Sequence, residues 1–248
     1  MIFDETKDLE AKVQSSNLNE ELGMIQFVFS DKTGTLTQNV MEFKKFTAGT
    51  HSYGTSNPRI SKKKLKNGIT NVNFFDKNFD AHYSNPAHPN HVYIRKMVEM
   101  LGVCHTVVVE EKNGVSAYNA SSPDELALVN GAKFFGFDFE GRDEDNNVVI
   151  NDRGTRIKYK LLTVIEFTST RKRMTCVVET PEGKIKVYIK GADSMIIPLL
   201  RTEQGGKKGQ KNLRDTEINL EAYGKEGLRT LLFAEKDITP DFFANWSQ

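Results

Sequence analysis

The stretch KYKLLTVIEFTSTRKRMTCVVETPEGKIKVYIKG, residues 158–191, decides the fold. It contains three runs rich in apolar and β-branched residues, at 158–167, 173–180 and 184–191, which is typical of strands. The tripeptide PEG at 181–183 separates the last two runs, and so short a connection containing glycine predicts a hairpin. Strands that follow one another through short turns pair antiparallel, so this stretch predicts an antiparallel sheet.

The segment SSPDELALVNGAKFFGF, residues 121–137, precedes these strands and carries the signals of a helix. Ser122 is a natural N-cap, and Pro123 occupies the first helical position, where its missing N–H costs nothing. Glu125 stands three residues after Ser122 and completes the pattern of a capping box. Gly136 predicts the end of the helix, because glycine readily adopts the left-handed backbone found there.

The remaining patterns alternate between helices, strands and loops. Apolar spacing predicts helices at 92–101 and through Leu213, Ile218, Leu220 and Tyr223, whereas residues 40–44, 104–110 and 228–238 are strand-like. Residues 48–89 are rich in Gly, Ser, Asn, Lys and Pro and predict a long loop with some local structure, and residues 203–210 predict a second loop. We therefore expect an α+β fold in which a mostly antiparallel sheet is flanked by helices.

Composition excludes several classes of protein. The 248 residues include 34 Lys and Arg against 33 Asp and Glu, a net charge of +1 that gives no electrostatic footprint for nucleic acid. Two cysteines, Cys104 and Cys176, cannot build a disulfide framework, and we interpret Cys104 and His105 as packing residues. No apolar run approaches about eighteen residues, so composition predicts a soluble cytosolic module.

One basic segment stands out from this balance. RISKKKLK, residues 59–66, has five basic residues in eight and is interpreted as a solvated loop. Contact with lipid head groups or with an acidic partner is the alternative interpretation.

Near the N-terminus, a reactive carboxylate follows an apolar run. MIQFVF, residues 24–29, is typical of a strand buried on both faces, and DKTGTLT, residues 31–37, comes directly after it. Open α/β sheets place reactive groups at such strand ends. Asp31 is therefore a candidate nucleophile for a phosphoryl group, with Lys32 and the hydroxyls as donors to phosphate oxygens. A Mg²⁺ ion bridging carboxylate and phosphate would offset their repulsion.

These motifs together resemble a known family. DKTGTLT is the phosphorylation motif of P-type ATPases, and the sequence is similar to the type IV members, the phospholipid flippases. SSPDELALV, EFTSTRKRMTCVV, VYIKGADSMI and GLRTLLFAEK resemble segments of that subfamily's nucleotide-binding domain, in the family's order. The resemblance covers residues 18–236. It implies that residues 1–39 hold a linker, one strand and the catalytic loop of a Rossmann-like phosphorylation domain, and that residues 40–248 form the nucleotide-binding domain.

The resemblance also implies roles for individual residues, with ATP and Mg²⁺ as cofactors. Asp31 would accept the phosphoryl group and bind Mg²⁺, with Lys32 and Thr33 contacting the γ-phosphate and Thr33 also the metal. In the nucleotide-binding domain the implied residues are Glu125 near the adenine, Phe167 stacked on it, Ser169 and Lys172 lining the pocket, Lys190 at its floor, and Arg229 at the phosphates or ribose.

Each of these residues also has a purely structural interpretation. The capping box already explains Glu125. Phe167 at the end of an apolar strand would be a core residue by its type alone. Lys190 could be an ordinary lysine at a strand end, although the adjacent Gly191 would allow a ligand to approach the backbone closely. Arg171, Lys172 and Arg173 are consecutive in an extended segment and cannot all face one ligand.

The resemblance implies a wider function that the chain does not complete. The family's acidic GDGxND-type Mg²⁺ motif is absent, and we discount the superficially similar GRDEDNN at 141–147. We therefore expect a monomeric piece that binds ATP without turnover, from the cytosolic part of a membrane pump. The intact pump would move a phospholipid between leaflets with an accessory β subunit. The run at 24–29, lacking partner strands, should then expose its aromatic residues.

Two other functions remain open from the sequence. A non-catalytic module could bind lipid head groups or regulators through its basic loops. An Asp-dependent phosphatase of the haloacid dehalogenase superfamily would share the chemistry of Asp31.

Overall fold

The computed structural model describes residues 3–4, 9–10, 18–55, 68–112, 115–200 and 206–247. Its internal contacts divide the chain into two units, Met1–Asn39 and Val40–Gln248. Within the described residues, no helix is long and apolar enough to cross a membrane.

Where the structure describes the first unit, regular structure is limited to short elements. Strands β1 (Phe3–Asp4) and β2 (Leu9–Glu10) pair antiparallel, and helix α1 spans Leu18–Gly23. The predicted strand at 24–29 is wrong, because the structure shows no strand there. No described strand pairs with this run, and a strand without a ladder partner has no backbone hydrogen bonds to hold it extended. The expected exposure is confirmed: Phe27, Val28 and Phe29 are 77%, 82% and 95% exposed.

The second unit holds most of the helices and strands. In chain order they are β3 (Phe46–Ala48), β4 (His51–Tyr53), α2 (Phe79–Ser84), α3 (His91–Val103), β5 (Val108–Lys112), β6 (Val115–Asn119), α4 (Pro123–Phe134), β7 (Phe137–Arg142), β8 (Val148–Asp152), β9 (Thr155–Ile165), β10 (Arg173–Glu179), β11 (Ile185–Gly191), α5 (Asp193–Ile196), a 3₁₀ turn (Ile197–Leu199), α6 (Gly206–Lys225), β12 (Leu232–Ile238) and α7 (Pro240–Trp246).

A six-stranded antiparallel sheet is the centre of this unit. Its strand order is β12-β11-β10-β9-β8-β7, so each strand pairs with the strands that precede and follow it along the chain, and β7 and β12 form the two edges. Residues 174–178 of β10 are buried, as expected for a central strand. In register, Cys176 lies opposite both Tyr188 of β11 and Val164 of β9. The predicted α+β class, the three strand runs and the hairpin at 181–183 are confirmed.

The sequence does not reveal the hairpin of β7 and β8, because the polar residues of its turn are equally typical of a loop. In that turn the Asp143 carboxylate accepts hydrogen bonds from the backbone N–H groups of Asp145 and Asn147 and from the Asn147 side chain. Lys158 of β9 also donates to it, at 2.9 Å, and these bonds lower the pKa of Asp143. The GRDEDNN segment thus forms a hairpin turn, and the carboxylate of its first acid, Asp143, is already hydrogen-bonded to neighbouring residues.

Helix α4 follows its sequence signals closely. The Ser122 hydroxyl accepts the backbone N–H of Glu125 at 3.4 Å, and Pro123 is the first helical residue. Gly136 follows the end of the helix with a φ of +86°, the left-handed conformation that glycine tolerates. The predicted N-cap and helix end are confirmed.

An aromatic cluster includes residues of the segment that the sequence predicted as a long loop. Phe46 packs against the rings of five residues at centroid distances of 5.1–6.1 Å: Phe43, Tyr53, Phe74, Phe79 and Phe135. The local structure expected within 48–89 includes β4 and α2, and Tyr53 and Phe79 of this segment belong to the core, which the prediction of a loop did not anticipate. Short elements that pack through scattered aromatic residues have no periodicity for a sequence to reveal.

Three further expectations have different outcomes. The strand predicted at 40–44 reduces to a single bridge between Phe43 and Val72. Helix α6 begins at Gly206, inside the loop predicted at 203–210. The basic segment at 59–66 lies outside the described residues.

The aromatic cluster leads to a prediction about stability. Replacing Phe46 with Ala should lower the free energy of unfolding by about 3–5 kcal/mol, because the lost ring leaves a cavity among packed neighbours. Urea unfolding measures the change. Phe75→Ala is the matched control, since Phe75 lies in the same region but is exposed, and it should have little effect. Equal effects of the two substitutions would contradict the assignment of Phe46 to the core.

Candidate functional site

A buried ion pair joins two of the predicted site residues. Lys190 lies near the end of β11, and Glu125 lies in the first turn of α4. The Lys190 Nζ is 2.6 Å from Glu125 Oε1, and the two side chains are only 7% and 10% exposed. Thr106 donates to Glu125 Oε2 through both its backbone N–H, at 3.1 Å, and its hydroxyl, at 2.7 Å. Both carboxylate oxygens therefore have partners.

This arrangement changes the interpretation of Glu125. In the predicted capping box the Glu125 side chain would reach back to Ser122, but the carboxylate is bound to Lys190 and Thr106 instead. Burial raises the pKa of the Glu125 carboxyl, but the attraction and hydrogen bond of Lys190, with the Thr106 donors, outweigh burial and lower the pKa. The pair thus stabilises the fold at neutral pH and loses that contribution as the pH falls and Glu125 is protonated.

Neutral buried groups surround the ion pair. His105 donates from Nε2 to the Gly102 carbonyl at 2.9 Å and accepts the Val107 N–H at Nδ1 at 3.1 Å, which defines its neutral form. Burial, with the nearby Lys190 charge, lowers the pKa of His105 to about 3. The hydrogen bond with Cys104, together with burial, raises the pKa of the Cys176 thiol. Cys104 and His105 are buried packing residues, as predicted.

The FTSTRK and KGAD segments meet at a close backbone contact. The Ala192 N–H donates to the Lys172 carbonyl at 3.0 Å, and the Lys172 N–H donates to the Thr168 carbonyl at 2.7 Å. A Cβ at Gly191 would lie 2.5 Å from the Lys172 oxygen, so only glycine fits there. Lys172 itself has a φ of +48°, a strained conformation for a residue with a side chain. The two motifs therefore form one structural unit.

The turn at 166–172 presents Phe167 to solvent. Its ring is 60% exposed, so the interpretation of Phe167 as a core residue is wrong. Arg171 holds the turn, because its Nη1 donates to the carbonyls of Ile165 and Glu166 at 3.2 and 2.8 Å. Ser169 and Lys172 on the same turn are also exposed. Of the three consecutive cations, Arg171 and Arg173 make local backbone bonds, which leaves Lys172 facing solvent.

Arg229 lies in the loop between α6 and β12 and contacts α4. Its Nη1 is 3.2 Å from Asp124 Oδ2, and the side chains of Arg229 and Asp124 are 67% and 22% exposed. Asp124 directly precedes Glu125, so the start of α4 binds two of the predicted cationic site residues, one through each acid.

The loop that carries Asp31 is described separately, within the first unit. The Lys32 carbonyl accepts the N–H groups of Leu36 and Thr37 at 3.1 and 3.0 Å and the Thr37 hydroxyl at 3.1 Å. Gly34 allows this tight turn with a φ of +85° and donates its N–H to the Thr37 carbonyl at 2.8 Å. The side chain of Asp31 is exposed at the start of the turn.

These residues do not by themselves form a site for Mg²⁺. The ion prefers six oxygen ligands and usually takes more than one carboxylate or phosphate. Among the described residues, no group of three or more His, Cys, Asp or Glu side chains could hold a metal ion. Asp31 and Thr33 could each supply one oxygen, and the remaining ligands would have to come from elsewhere.

The structure thus brings some predicted residues together and leaves others apart. Glu125 contacts Lys190, Arg229 is linked to them through Asp124, and the turn with Phe167, Ser169 and Lys172 is bonded to the residue after Gly191. Asp31, Lys32 and Thr33 belong to the other unit. Sequence reasoning missed Thr106 and Asp124. Asp124 could have been noticed as the second acid of the first helical turn, whereas nothing in the sequence marks Thr106.

Comparison with known proteins gives consistent matches. The profile of the P-type ATPase cytoplasmic domain N matches residues 93–247. Human phospholipid-transporting ATPase ID is 38% identical over 252 residues, which cover 98% of this chain and 20% of that protein. Phospholipid-transporting ATPase IC is 38% identical in human and in Xenopus tropicalis, again over 98% of this chain and 19% of each relative. The chain spans about a fifth of the length of the curated relatives it matches.

The buried ion pair leads to a prediction about stability. Lys190→Met should lower the free energy of unfolding by about 3–5 kcal/mol at pH 7, because it leaves the Glu125 charge buried without its partner. Adding Glu125→Gln to this variant should restore part of the loss, since the orphaned charge is then removed. Urea unfolding of the two single variants and the double variant measures this coupling.

The matched control removes a lysine from an exposed pair. Lys225 lies 2.6 Å from Glu221 on α6, and both side chains are mostly exposed, so Lys225→Met should leave stability unchanged. Strictly additive effects of Lys190→Met and Glu125→Gln would show that the buried pair does not act as described.

Proposed function

The chain belongs to the P-type ATPases, in the type IV branch of phospholipid-transporting ATPases, and on this premise we propose that residues 40–248 bind ATP. The observation that carries this proposal is the joining of the exposed Phe167 turn to the Gly191 end of β11, where the buried Lys190 lies. An exposed aromatic ring on a turn that is fixed to the strand end suits stacking on a flat base, because every base presents a π-face.

The proposed roles follow from the burial of each residue. Phe167 would stack on the adenine, since its ring is exposed on a turn that Arg171 holds in place. Ser169 and Lys172 would line the pocket from the same turn. Lys190 and Glu125 would form the floor of the pocket near the adenine. Because the two side chains form an ion pair with each other, they would give the floor its shape and a fixed arrangement of charges.

Arg229 is the cation best placed to bind phosphate. Its guanidinium is 67% exposed and its one described ion pair is with Asp124. Guanidinium groups suit phosphate because they present several N–H donors in one plane. We therefore assign Arg229 to the phosphates or ribose of the nucleotide.

Residues 1–39 would carry the phosphoryl acceptor of the intact protein. An Asp31 carboxylate oxygen would attack the γ-phosphorus of ATP, forming an acyl phosphate while the bond to the β-phosphate oxygen breaks and ADP leaves. Lys32 and Thr33 would contact the transferred group. Mg²⁺ is the proposed cofactor, for which Asp31 and Thr33 would be two of several ligands.

The proposal for the activity of the whole protein is based on its similarity to phospholipid-transporting ATPases. We propose that ATP hydrolysis drives transfer of a phospholipid between leaflets, that this chain lies on the cytosolic side of the membrane, and that an accessory subunit assembles with the whole protein. None of these roles involves nucleic acid, in keeping with the balanced charge.

Titration with ATP tests the nucleotide site. Phe167→Ala should weaken ATP binding about fivefold to a hundredfold, since stacking on a base contributes about 1–3 kcal/mol, whereas Phe167→Tyr should keep most of the affinity. Isothermal calorimetry gives the affinity, and amide chemical shifts locate the site. Phe242→Ala is the control, because Phe242 on α7 is similarly exposed but outside the proposed pocket. Equal affinities for the Phe167→Ala variant and the unmodified chain would refute the stacking role.

A second experiment tests the phosphoryl acceptor in the full-length protein. Incubation with ATP labelled at the γ-phosphate and Mg²⁺ should give a labelled acyl phosphate that hydroxylamine releases. Asp31→Asn should abolish the label, because an amide is not a nucleophile for phosphorus, while ATP binding persists. Asp4→Asn, which removes an acid elsewhere in the same unit, should keep the label. Labelling that survives in the Asp31→Asn variant would place the acceptor elsewhere.

A further inference from the structure

We propose that Asp124 competes with the phosphates of the nucleotide for Arg229, and so sets how strongly the site prefers ATP to a nucleoside without phosphates. This inference rests on the proposed ATP site and adds to it a residue that regulates specificity. Its starting point is the contact between Arg229 Nη1 and Asp124 Oδ2, at 3.2 Å. In this structure the cation assigned to phosphate is already bound by a carboxylate.

Two consecutive acids in the first turn of α4 bind their cations in opposite environments. The pair of Glu125 and Lys190 is almost fully buried, at 10% and 7% exposure, and breaking it would leave a charge unpaired in the interior. In the pair of Asp124 and Arg229, the acid is partly exposed, at 22%, and the arginine is open to water, at 67%. Exposed ion pairs contribute little to stability and exchange partners readily, because water solvates each member. Only the Asp124 pair can therefore exchange its carboxylate for a phosphate.

Asp124 remains stabilised after Arg229 leaves. It occupies the second position of α4, where the unpaired N–H groups and the helix dipole favour negative charge. Its side chain is also partly exposed to water. Release of Arg229 therefore leaves the Asp124 charge partly hydrated and at a helix start that favours it, and the exposed arginine side chain in the loop between α6 and β12 is the member that changes partner.

The competition has a defined consequence for specificity. A ligand that binds Arg229 must replace the Asp124 carboxylate. The binding free energy that the ligand gains from Arg229 is therefore the difference between the free energies of its own ion pair and of the pair with Asp124. A triphosphate carries more charge than a single carboxylate and wins this exchange, whereas adenosine offers no competing anion. Asp124 thus lowers the affinity for ATP and leaves the affinity for adenosine unchanged.

The test compares ATP and adenosine binding in four forms of the chain. Asp124→Asn keeps the size of the side chain and removes its charge. It should tighten ATP binding about two- to fivefold at low salt and leave adenosine binding unchanged. In an Arg229→Gln background, the same substitution should no longer tighten ATP binding. Calorimetry on the unmodified chain, both single variants and the double variant provides the cycle.

The control is Asp80→Asn, which makes the same change at the same helix position. Asp80 is the second residue of α2, as Asp124 is of α4, so a general effect of net charge or of the helix end would appear in both variants. Asp80→Asn should not change ATP affinity.

Each other outcome overturns the inference in a recognisable way. Weaker ATP binding in the Asp124→Asn variant would mean that Asp124 positions Arg229 for the ligand. An equal gain with Arg229→Gln present would mean simple repulsion between Asp124 and phosphate. A parallel change for adenosine would indicate a structural role. Absence of ATP binding by the unmodified chain would refute the proposed function itself, whereas normal binding with no effect of Asp124→Asn would refute this inference alone.

Discussion

The buried contact between Lys190 and Glu125 is the constraint on which the candidate site depends. It joins the end of β11 to the start of α4, and Thr106 adds the segment between α3 and β5. An ammonium and a carboxylate can remain buried only while each satisfies the other, so these three segments must assemble together. The neutral His105 and Cys176 lie beside the pair and add no charge of their own to this buried environment.

This constraint divides the site into a fixed part and an exchangeable part. The buried pair cannot open without a large cost, and a backbone hydrogen bond from Ala192 to Lys172 holds the neighbouring turn against the end of β11. Phe167 and Arg229, by contrast, are exposed and can meet a ligand without disrupting the core. In the proposed function, the buried pair is a preformed floor and Arg229 an exposed cation, and a preformed floor limits the conformational entropy lost on binding.

In the first unit, local hydrogen bonds rather than long-range contacts hold the candidate residues. The loop of Asp31 is held by hydrogen bonds to its own backbone, chiefly through the Lys32 carbonyl, and needs no other segment to take its shape. The apolar run before it has no described partner strand and exposes Phe29 almost completely. The carboxylate proposed as phosphoryl acceptor therefore lies in a turn that local hydrogen bonds hold, although the neighbouring backbone forms no sheet.

The sequence alone determined whatever local patterns encode. The apolar and β-branched runs in 158–191, the PEG turn and the capping signals of α4 each act over a few residues. The DKTGTLT string likewise identified the loop of Asp31 before the fold was known. Tertiary structure alone decided which partners distant side chains would take. Glu125 carries a capping pattern but binds Lys190, 65 residues away, and Arg229 contacts Asp124 across 105 positions. The reason is physical: a helix cap or a turn is stabilised by neighbours in the chain, whereas a buried charge takes the partner that folding brings to it.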